Sequence, residues 1–390
     1  MTNPMKQSEK LQNVPPVAAS LTPLTKLDGL EEKWRFLEQR SACSFFQSWL
    51  WIGTWLSNLP PSARCYLLEV TGDDRPVGLA VIGACTLFRH RFVRTRALLL
   101  HETGRHAIDR MTIEHNSILA EAGRESEVVL AGLRCIDAAD LTWDEFVVSG
   151  VGAASLDAWQ AAIPAAKWYM DLRQQSDCPF VDLEDVRARG GDYLSLLSAN
   201  ARQQLRRSIK AYEGFGSLRL SVASTGADAL EYLHGLQVLH NAHWTGLGKE
   251  GAFPNEFTRR FHDQLALRGG DCGAVQLLRV SAGTEVVGYL YNFVHHGHVY
   301  CYQSGFKYLP DAKFRPGLVS HYLAVLHNLQ AGNRIYDFLA GPQRYKRRLA
   351  TAQTRMLWFS LQRTRVIFVA ERLFTRAKDA LRRRLRSPTQ

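Results

Sequence analysis

Residues 285–346 decide the fold, and they read EVVGYLYNFVHHGHVYCYQSGF (285–306), KYLPDAKFRPG (307–317), LVSHYLAVLHNLQAGNR (318–334) and IYDFLAGPQRYK (335–346). The first part alternates aromatic or aliphatic residues with others on both sides of His296-Gly297-His298. This alternation predicts a β-hairpin with two long strands. The second part predicts a loop that ends at Pro316-Gly317.

A helix and a third strand are expected after this loop. Apolar residues recur there at the spacing of an amphipathic helix that Gly332 closes, namely Leu318, Tyr322, Val325 and Leu329. Residues 335–339 predict a short strand, and another helix is expected to open at Pro342. Strand, loop, helix and strand form a βαβ crossover, and the start of its helix suits a phosphate or pyrophosphate. An ordinary structural crossover is the alternative.

The stretch resembles the core of the GNAT superfamily of acyl-CoA N-acyltransferases. Within it, the stretch more closely resembles the branch of CelD-type (BioF2-like) acetyltransferase domains and Fem-type peptidoglycan aminoacyltransferases. The residues that carry the resemblance are Arg315-Pro316-Gly317, Tyr336-Asp337-Phe338-Leu339-x-Gly341 and Tyr345-Lys346. The common GNAT pyrophosphate signature, Arg/Gln-x-x-Gly-x-Gly/Ala, is absent. The donor is therefore open between acyl-CoA and the aminoacyl-tRNA of Fem-like relatives.

The resemblance implies direct transfer of an acyl group from a thioester to an amine. A base must take a proton from the amine, and the leaving thiolate needs a proton donor. We assign the base to Asp337 and the acid to Tyr345, with Lys346 as the third catalytic residue. Cofactor contacts are expected at Gln303, Arg315, Gly317 and Leu318. A buried Asp337 that caps a loop or pairs with Lys346 is the competing interpretation.

Length and composition describe a globular protein with an anionic partner. The 390 residues favour two domains, and 46% hydrophobic and 22% charged residues are ordinary values. The net charge of +11 favours a nucleotide-like cofactor, an acidic lipid surface or nucleic acid. No apolar run approaches the ~18 residues of a membrane span, and the N-terminus lacks the apolar core of a signal peptide. Seven scattered cysteines without a CxxC pair argue for reduced thiols and a cytoplasmic location.

An internal repeat predicts a duplicated fold. Leu67-Leu68-x-Val70 and Val77-Gly78 recur at identical spacing as Leu277-Leu278-x-Val280 and Val287-Gly288. We therefore predict an α/β (α+β, mixed-sheet) fold of tandem GNAT-like domains, with the cofactor core in the second and a cofactor-free first copy that shapes the acceptor cleft. The predicted divisions are a disordered tail at 1–26, the two domains at 27–190 and 191–362, and a basic amphipathic C-terminal helix at 363–390.

A basic helix is expected before the second domain. Arg202, Arg206 and Lys210 share one helix face. The run from Leu197 to Arg207 also resembles the branch motif LSxNxRxxLRR, and we assign Arg202 and Arg206 to substrate binding. A solvated basic face is the alternative.

The histidines do not predict a metal site. His234, His240 and His243 have spacings that do not place all three on one helix face. The group His295-His296-x-His298 lies at a hairpin tip, where adjacent residues point to opposite faces of the sheet. We therefore predict no metal.

The C-terminal segment combines an apolar stripe with a basic cluster. The stripe consists of Val366, Val369, Leu373, Ala377 and Leu381. Such a helix packs on the domain or lies on an anionic membrane surface. Peripheral contact with the inner membrane face is therefore an expected addition to the cytoplasmic location.

Three functions compete. The first is an acyl-CoA-dependent N-acyltransferase, with acetyl-CoA as co-substrate, that acts on an amine-bearing small molecule or glycan precursor in cell-envelope or exopolysaccharide synthesis. The second is a Fem-type ligase that uses aminoacyl-tRNA. The third is a non-catalytic, GNAT-shaped accessory protein of polysaccharide biosynthesis. The polar set Asp337, Tyr345 and Lys346 counts against the third.

Overall fold

One mixed β-sheet runs through the computed structural model of this chain, which describes residues 17–89, 93–166 and 168–373. The first half consists of β1 (Ala18–Pro23), α1 (Leu30–Glu38), α2 (Trp49–Asn58), β2 (Cys65–Gly72), β3 (Arg75–Arg89), β4 (Val93–Leu100), β5 (Leu119–Ala120), α3 (Glu125–Ala138), β6 (Glu145–Gly152), α4 (Ala153–Ala162) and β7 (Tyr169–Asp182). The second half consists of α5 (Leu183–Ala188), α6 (Tyr193–Leu196), α7 (Ala199–Glu213), β8 (Leu218–Val222), α8 (Gly226–Gly246), α9 (Glu256–Gly270), β9 (Val275–Ala282), β10 (Glu285–His295), β11 (His298–Phe306), α10 (Pro316–Gln330), β12 (Ile335–Asp337), α11 (Arg344–Leu349) and β13 (Ala352–Gln362).

The strand order shows that the two halves are copies of one fold. The order is β1-β2-β3-β4-β6-β13-β7-β12-β11-β10-β9-β8, with β5 attached to β3. From one edge of the sheet the order is β1, β2, β3, β4, β6 and β13, and from the other edge it is β8, β9, β10, β11, β12 and β7. The parallel pair β4–β6 corresponds to the parallel pair β11–β12. The halves exchange their last strands, because β13 pairs with β6 and β7 pairs with β12. The predicted mixed sheet of tandem GNAT-like halves is confirmed.

The repeated hairpins match in detail. Gly72 pairs with Arg75 around one two-residue turn, and Ala282 pairs with Glu285 around the other. In both hairpins the register shifts at the same place, so that Val77 and Val287 each stand as one extra residue in a bulge. A bulge at an equivalent position supports duplication more strongly than a shared turn does, because bulges re-aim the strand that follows.

Aromatic residues from both halves form one core that fixes the halves together. The rings of Phe45 and Phe293 stack with centroids 4.2 Å apart, and Trp51 contacts Phe293 and Phe261 edge-on. The aromatic segment of the first half therefore buries its apolar side. A short 3-10 turn at Phe45–Gln47 precedes α2. The Ser48 side chain caps α2 by accepting from the Trp51 N–H.

The predicted N-terminal tail is too long. Within 1–26, residues Ala18–Pro23 form β1, which pairs antiparallel with β2 from Thr71 to Tyr66. Pairing with the edge of β2 satisfies backbone groups of this segment, and composition alone did not reveal that partner. Residues 1–16 lie outside the described part of the chain. The helix expected at Pro342 begins instead at Arg344.

Only the beginning of the C-terminal segment is described. Phe368 is buried beneath the Arg89 guanidinium, which also pairs with Glu371. Val366, Val369 and Leu373 of the predicted apolar stripe are exposed. Ala377, Leu381 and the basic cluster lie outside the described residues, so the membrane contact stays a prediction. In the described part, no helix has the length and apolar character needed to cross a bilayer.

Candidate active site

A cavity opens where β11 and β12 part. The two strands pair only through His298–Tyr300 and Ile335–Asp337, and the chain then turns away at Leu339, whose φ is 60°. From Cys301 to Phe306, β11 pairs with β10 on one side, while its other side lines a cavity of about 450 Å³. Strands that diverge in this way leave backbone N–H and C=O groups available to a ligand.

The opposite wall holds two of the three predicted catalytic residues. Tyr345 and Lys346, from α11, line the cavity together with Leu339, Ala340 and Gln343. Gln303, a predicted cofactor contact, lies across from them on β11. The structure thus brings Gln303, Tyr345 and Lys346 to one cavity.

Tyr345 supplies a phenol to the cavity wall. Its ring stacks on His321 with centroids 4.8 Å apart, and the side chain is partly buried. Burial raises the pKa of Tyr345 above its usual range, so the phenol stays protonated at neutral pH.

Lys346 is a buried cation that holds the far wall. Its Nζ donates to the carbonyl oxygens of Leu339 at 3.2 Å and Ala340 at 2.6 Å. Burial lowers the pKa of Lys346, and the nearby Glu114 carboxylate acts in the opposite direction. Its contacts make it a residue that positions the wall rather than one that exchanges protons.

Glu114 is the functional candidate that the sequence did not reveal. This first-half residue reaches into the cavity of the second half, where its Oε2 accepts the Ala340 N–H at 2.7 Å. Burial raises the pKa of Glu114, although the Ala340 N–H and the Lys346 cation oppose the rise. It is the one acidic residue among the described residues that line the cavity. A carboxylate whose pKa is moved toward neutrality suits a general base.

Glu114 reaches the cavity because its segment fills the equivalent gap in the first half, between the ends of β4 and β6. Asn116 donates its backbone N–H to Gly150 O at 2.9 Å and its Nδ2 to Leu100 O at 3.1 Å, and so bridges the ends of β4 and β6. A Cβ on Gly150 would lie 2.6 Å from Ile113 O, so glycine is needed for this close approach. The segment that plugs the first gap carries Glu114 into the second. This arrangement fits the expected cofactor-free first copy.

Asp337 does not lie with Tyr345 and Lys346 in the cavity. It is buried behind the wall, where Oδ1 accepts the Leu339 N–H at 2.7 Å and Oδ2 lies 3.0 Å from His115 Nε2 and 3.2 Å from His298 Nε2. Burial opposes ionisation, but the two imidazoles outweigh it and hold the pKa of Asp337 well below its usual range. A weak base away from the cavity does not fit the predicted role, whereas loop capping does.

The other three predicted cofactor contacts, Arg315, Gly317 and Leu318, lie at the start of α10 in different surroundings. The Arg315 N–H donates to Ser208 Oγ at 2.9 Å, and its guanidinium donates to Gln204 Oε1 at 2.9 Å. A Cβ on Gly317 would lie 3.2 Å from the Phe306 ring, which borders the cavity. The Leu318 side chain is buried in the core of the second half, so the prediction that it contacts the cofactor is wrong for the side chain. The apolar side chain of Leu318 reflects its packing in the hydrophobic core rather than contact with a ligand.

The basic residues assigned to substrate lie elsewhere. The Arg202 guanidinium donates to the carbonyl oxygens of Ser195 and Leu197, so it closes the preceding turn. Arg206 is exposed on α7, and neither arginine lines the cavity. Arg206 therefore fits the alternative of a solvated basic face better than it fits substrate binding. Helical periodicity shows which residues share a face of α7, but not whether that face points toward the cavity.

Comparisons with known proteins agree with this fold. A family model described as an acetyltransferase (GNAT) domain matches residues 199–347. Among solved structures, FemX is 10% identical, with 83% of this chain and 95% of that chain covered and a TM-score of 0.55. L-PGS from Bacillus licheniformis is 11% identical, with coverage of 88% and 96% and a TM-score of 0.53. A conserved protein of unknown function from Bacteroides thetaiotaomicron VPI-5482 is 10% identical, with coverage of 85% and 97% and a TM-score of 0.52. These likenesses show the fold, and no curated protein matches the chain.

Proposed function

We propose, from the premise that residues 199–347 are a GNAT acetyltransferase domain, that the protein is an N-acyltransferase that moves an acyl group, in the first instance acetyl, from acyl-CoA to an amine. The observation that carries the proposal is the cavity beside β11. There a neutral phenol, Tyr345, and a carboxylate of raised pKa, Glu114, line one space with residues 301–306 of β11.

Each step of the proposed transfer can be assigned to a side chain or a backbone group at the cavity. Glu114 takes a proton from the acceptor amine, whose nitrogen then forms the new bond to the acyl carbon. Backbone N–H groups on the open side of β11 stabilise the negative charge that develops on the acyl oxygen. As the carbon–sulfur bond breaks, Tyr345 donates its proton to the leaving thiolate. Lys346 holds the Leu339–Ala340 wall, which keeps the Ala340 N–H on Glu114.

The start of α10 is the proposed position for the pyrophosphate of the donor. α10 is a 15-residue helix, and its first N–H groups have no partner within the helix. Two guanidinium groups, from Arg315 and Arg348, converge on Gln204 Oε1 beside this end, at 2.9 and 3.0 Å. A pyrophosphate there would meet both the helix dipole and two cations.

Arg315→Gln should weaken binding of CoA about fivefold to thirtyfold, which corresponds to about 1–2 kcal/mol for one partly exposed cation at a helix end. Calorimetric titration of the variant with CoA measures the loss. Arg189→Gln is the matched control, because Arg189 pairs with Asp185 on the surface of α5. Equal CoA affinities of wild type and Arg315→Gln would contradict the proposed position of the pyrophosphate at the start of α10.

The proposed acceptor is an amine-bearing small molecule or glycan precursor of cell-envelope or exopolysaccharide synthesis. Trp244 and Tyr308 border the cavity, and the Tyr308 ring stacks on His243 with centroids 4.4 Å apart. Aromatic walls with a few polar groups suit a small polar molecule such as an amino sugar. This assignment rests on the cavity lining and on the resemblance of the motifs.

Release of free thiol from acyl-CoA tests the proposal. The purified protein is supplied with acetyl-CoA or longer acyl-CoAs and with a panel of amino sugars and small amines. We expect acceptor-dependent release of CoA. If CoA neither binds at millimolar concentration nor turns over, while tRNA binds tightly, the Fem-type ligase replaces this proposal. The net charge of +11 is the observation that keeps this alternative in view.

A further inference from the structure

A second cavity lies on the other side of Asp337, at the junction of the two halves. Its volume is about 420 Å³. Metal-ligating side chains from both halves line it: Cys43 and His115 from the first, and His295, His296 and His298 from the second. Such a concentration of imidazole around one space is unexplained by acyl transfer, which uses the cavity beside β11.

We propose that His115, His298 and Asp337 bind a divalent transition-metal ion of the zinc class. One ligand atom from each residue lies within 4.8 Å of the other two. Tetrahedral zinc with bonds of about 2.0–2.2 Å places neighbouring ligand atoms about 3.3–3.6 Å apart. The separations of Asp337 Oδ2 from His115 Nε2 and His298 Nε2, 3.0 and 3.2 Å, need only a small expansion to reach that spacing.

Two imidazoles converge on one carboxylate oxygen. His115 Nε2 lies 3.0 Å and His298 Nε2 lies 3.2 Å from Asp337 Oδ2. Two ring nitrogens and a carboxylate oxygen gathered at one point form a donor set that a zinc-class ion accepts. Two imidazoles and a carboxylate select zinc, iron or cobalt rather than magnesium or calcium, which prefer oxygen ligands.

The three ligands come from segments that the active site needs to hold together. His115 follows Glu114 directly, His298 begins β11, and Asp337 ends β12. An ion at this point would fix the first-half segment against the strands whose parting opens the cavity. The inference stands on the ligand geometry and does not depend on the proposed acyl transfer.

A second ligand set lies on the same cavity and provides a built-in comparison. The ligand atoms of Cys43, His295 and His296 also lie within 4.8 Å of one another, with Cys43 Sγ 3.3 Å from His295 Nε2. We assign the ion to His115, His298 and Asp337 because that set includes a buried carboxylate, whose negative charge an ion would offset, whereas His296 of the other set is exposed. The thiol of the other set gives a different spectrum with cobalt, which separates the two.

Calorimetric titration of the chelator-stripped full chain with Zn²⁺ tests the site. We expect one ion per chain for wild type, and at least tenfold weaker binding for His298→Ala, since even outer-shell changes cost about 10–100-fold. His234→Ala is the matched control, because this exposed histidine pairs with Asp263 on the surface. Mg²⁺ should give no binding. Wild type that binds Zn²⁺ no more tightly than His298→Ala would overturn the proposal.

The Co²⁺ spectrum of wild type keeps the test decisive if His298→Ala fails to fold. Visible bands of a tetrahedral ion without intense thiolate charge-transfer bands in the near ultraviolet support nitrogen and oxygen ligands. Strong charge-transfer bands that disappear in Cys43→Ser would place the ion on the other set and overturn the assignment. No Co²⁺ absorption beyond that of the free ion would also overturn it.

Discussion

Glu114→Gln should lower kcat for acyl transfer about 10²–10⁴-fold, the usual contribution of a general base, with little change in acyl-CoA binding. The amide retains an oxygen that can accept the Ala340 N–H, so the wall at Leu339 and Ala340 should keep its position. What is lost is the ability to take a proton from the amine. Steady-state kinetics with acetyl-CoA and the best acceptor measure kcat, and calorimetry measures binding.

The same residue predicts the direction of the pH dependence. A base works only when it is ionised, so activity should fall as the pH falls through the pKa of Glu114. Because burial raises that pKa, the acid limb of kcat should lie above the ~4.3 of an ordinary glutamate. Glu114→Gln should abolish this limb.

Glu102→Gln is the matched control for both measurements. Glu102 is a partly buried first-half glutamate, and burial raises its pKa to about 7. It accepts from Ser149 Oγ at 2.6 Å and does not line the cavity beside β11. We expect its variant to keep kcat and the acid limb. A Glu114→Gln enzyme with wild-type kcat and pH profile would remove Glu114 from the mechanism.

Phe359→Ala should cost about 3–5 kcal/mol of unfolding free energy, the usual effect of deleting a fully buried phenylalanine. Phe359 belongs to β13 of the second half, yet it packs in the core of the first half, with its ring 5.6 Å from that of Trp159. Hydrogen exchange should therefore accelerate first in β6, which β13 pairs with. Denaturant unfolding gives the magnitude, and exchange gives the location.

Leu172→Ala provides the control at the same register. Leu172 of β7 pairs directly with Phe359 but is 52% exposed, so its truncation should change stability little. If Phe359→Ala instead loosened β11 and β12 and left β6 protected, the exchange of last strands between the halves would be wrong.

Local patterns were sufficient to predict the repeated unit. The two hairpins carry turn residues and strand alternation within a few positions, and the βαβ crossover is contiguous in sequence, so short-range periodicity predicts them. Gln303, Tyr345 and Lys346 lie on this contiguous unit, and the structure brings them to one cavity. The exchange of β7 and β13 has no local signature, because short-range periodicity predicts a strand but not which distant strand it pairs with.

The parts of the site that depend on distant contacts were not predictable. Glu114 and His115 lie in a segment without strong periodicity, and only the packing of Asn116 between β4 and β6 brings them to the second half. For the same reason the sequence did not predict the two imidazoles beside Asp337. Asp337, the motif residue that we assigned as the base, is therefore a buried carboxylate with a lowered pKa. Residue type and spacing suggested the chemistry, but not which carboxylate faces the cavity.

The most direct measurement is hydrogen exchange of the full chain with and without saturating acetyl-CoA. If the thioester lies between the parted strands, protection should appear at residues 301–306 of β11 and at 339–346 across the cavity. The plugged gap of the first half, at 99–102 and 147–150, should exchange at the same rate in both states. Unchanged exchange at 301–306 with acetyl-CoA bound, or protection confined to the first half, would contradict the account.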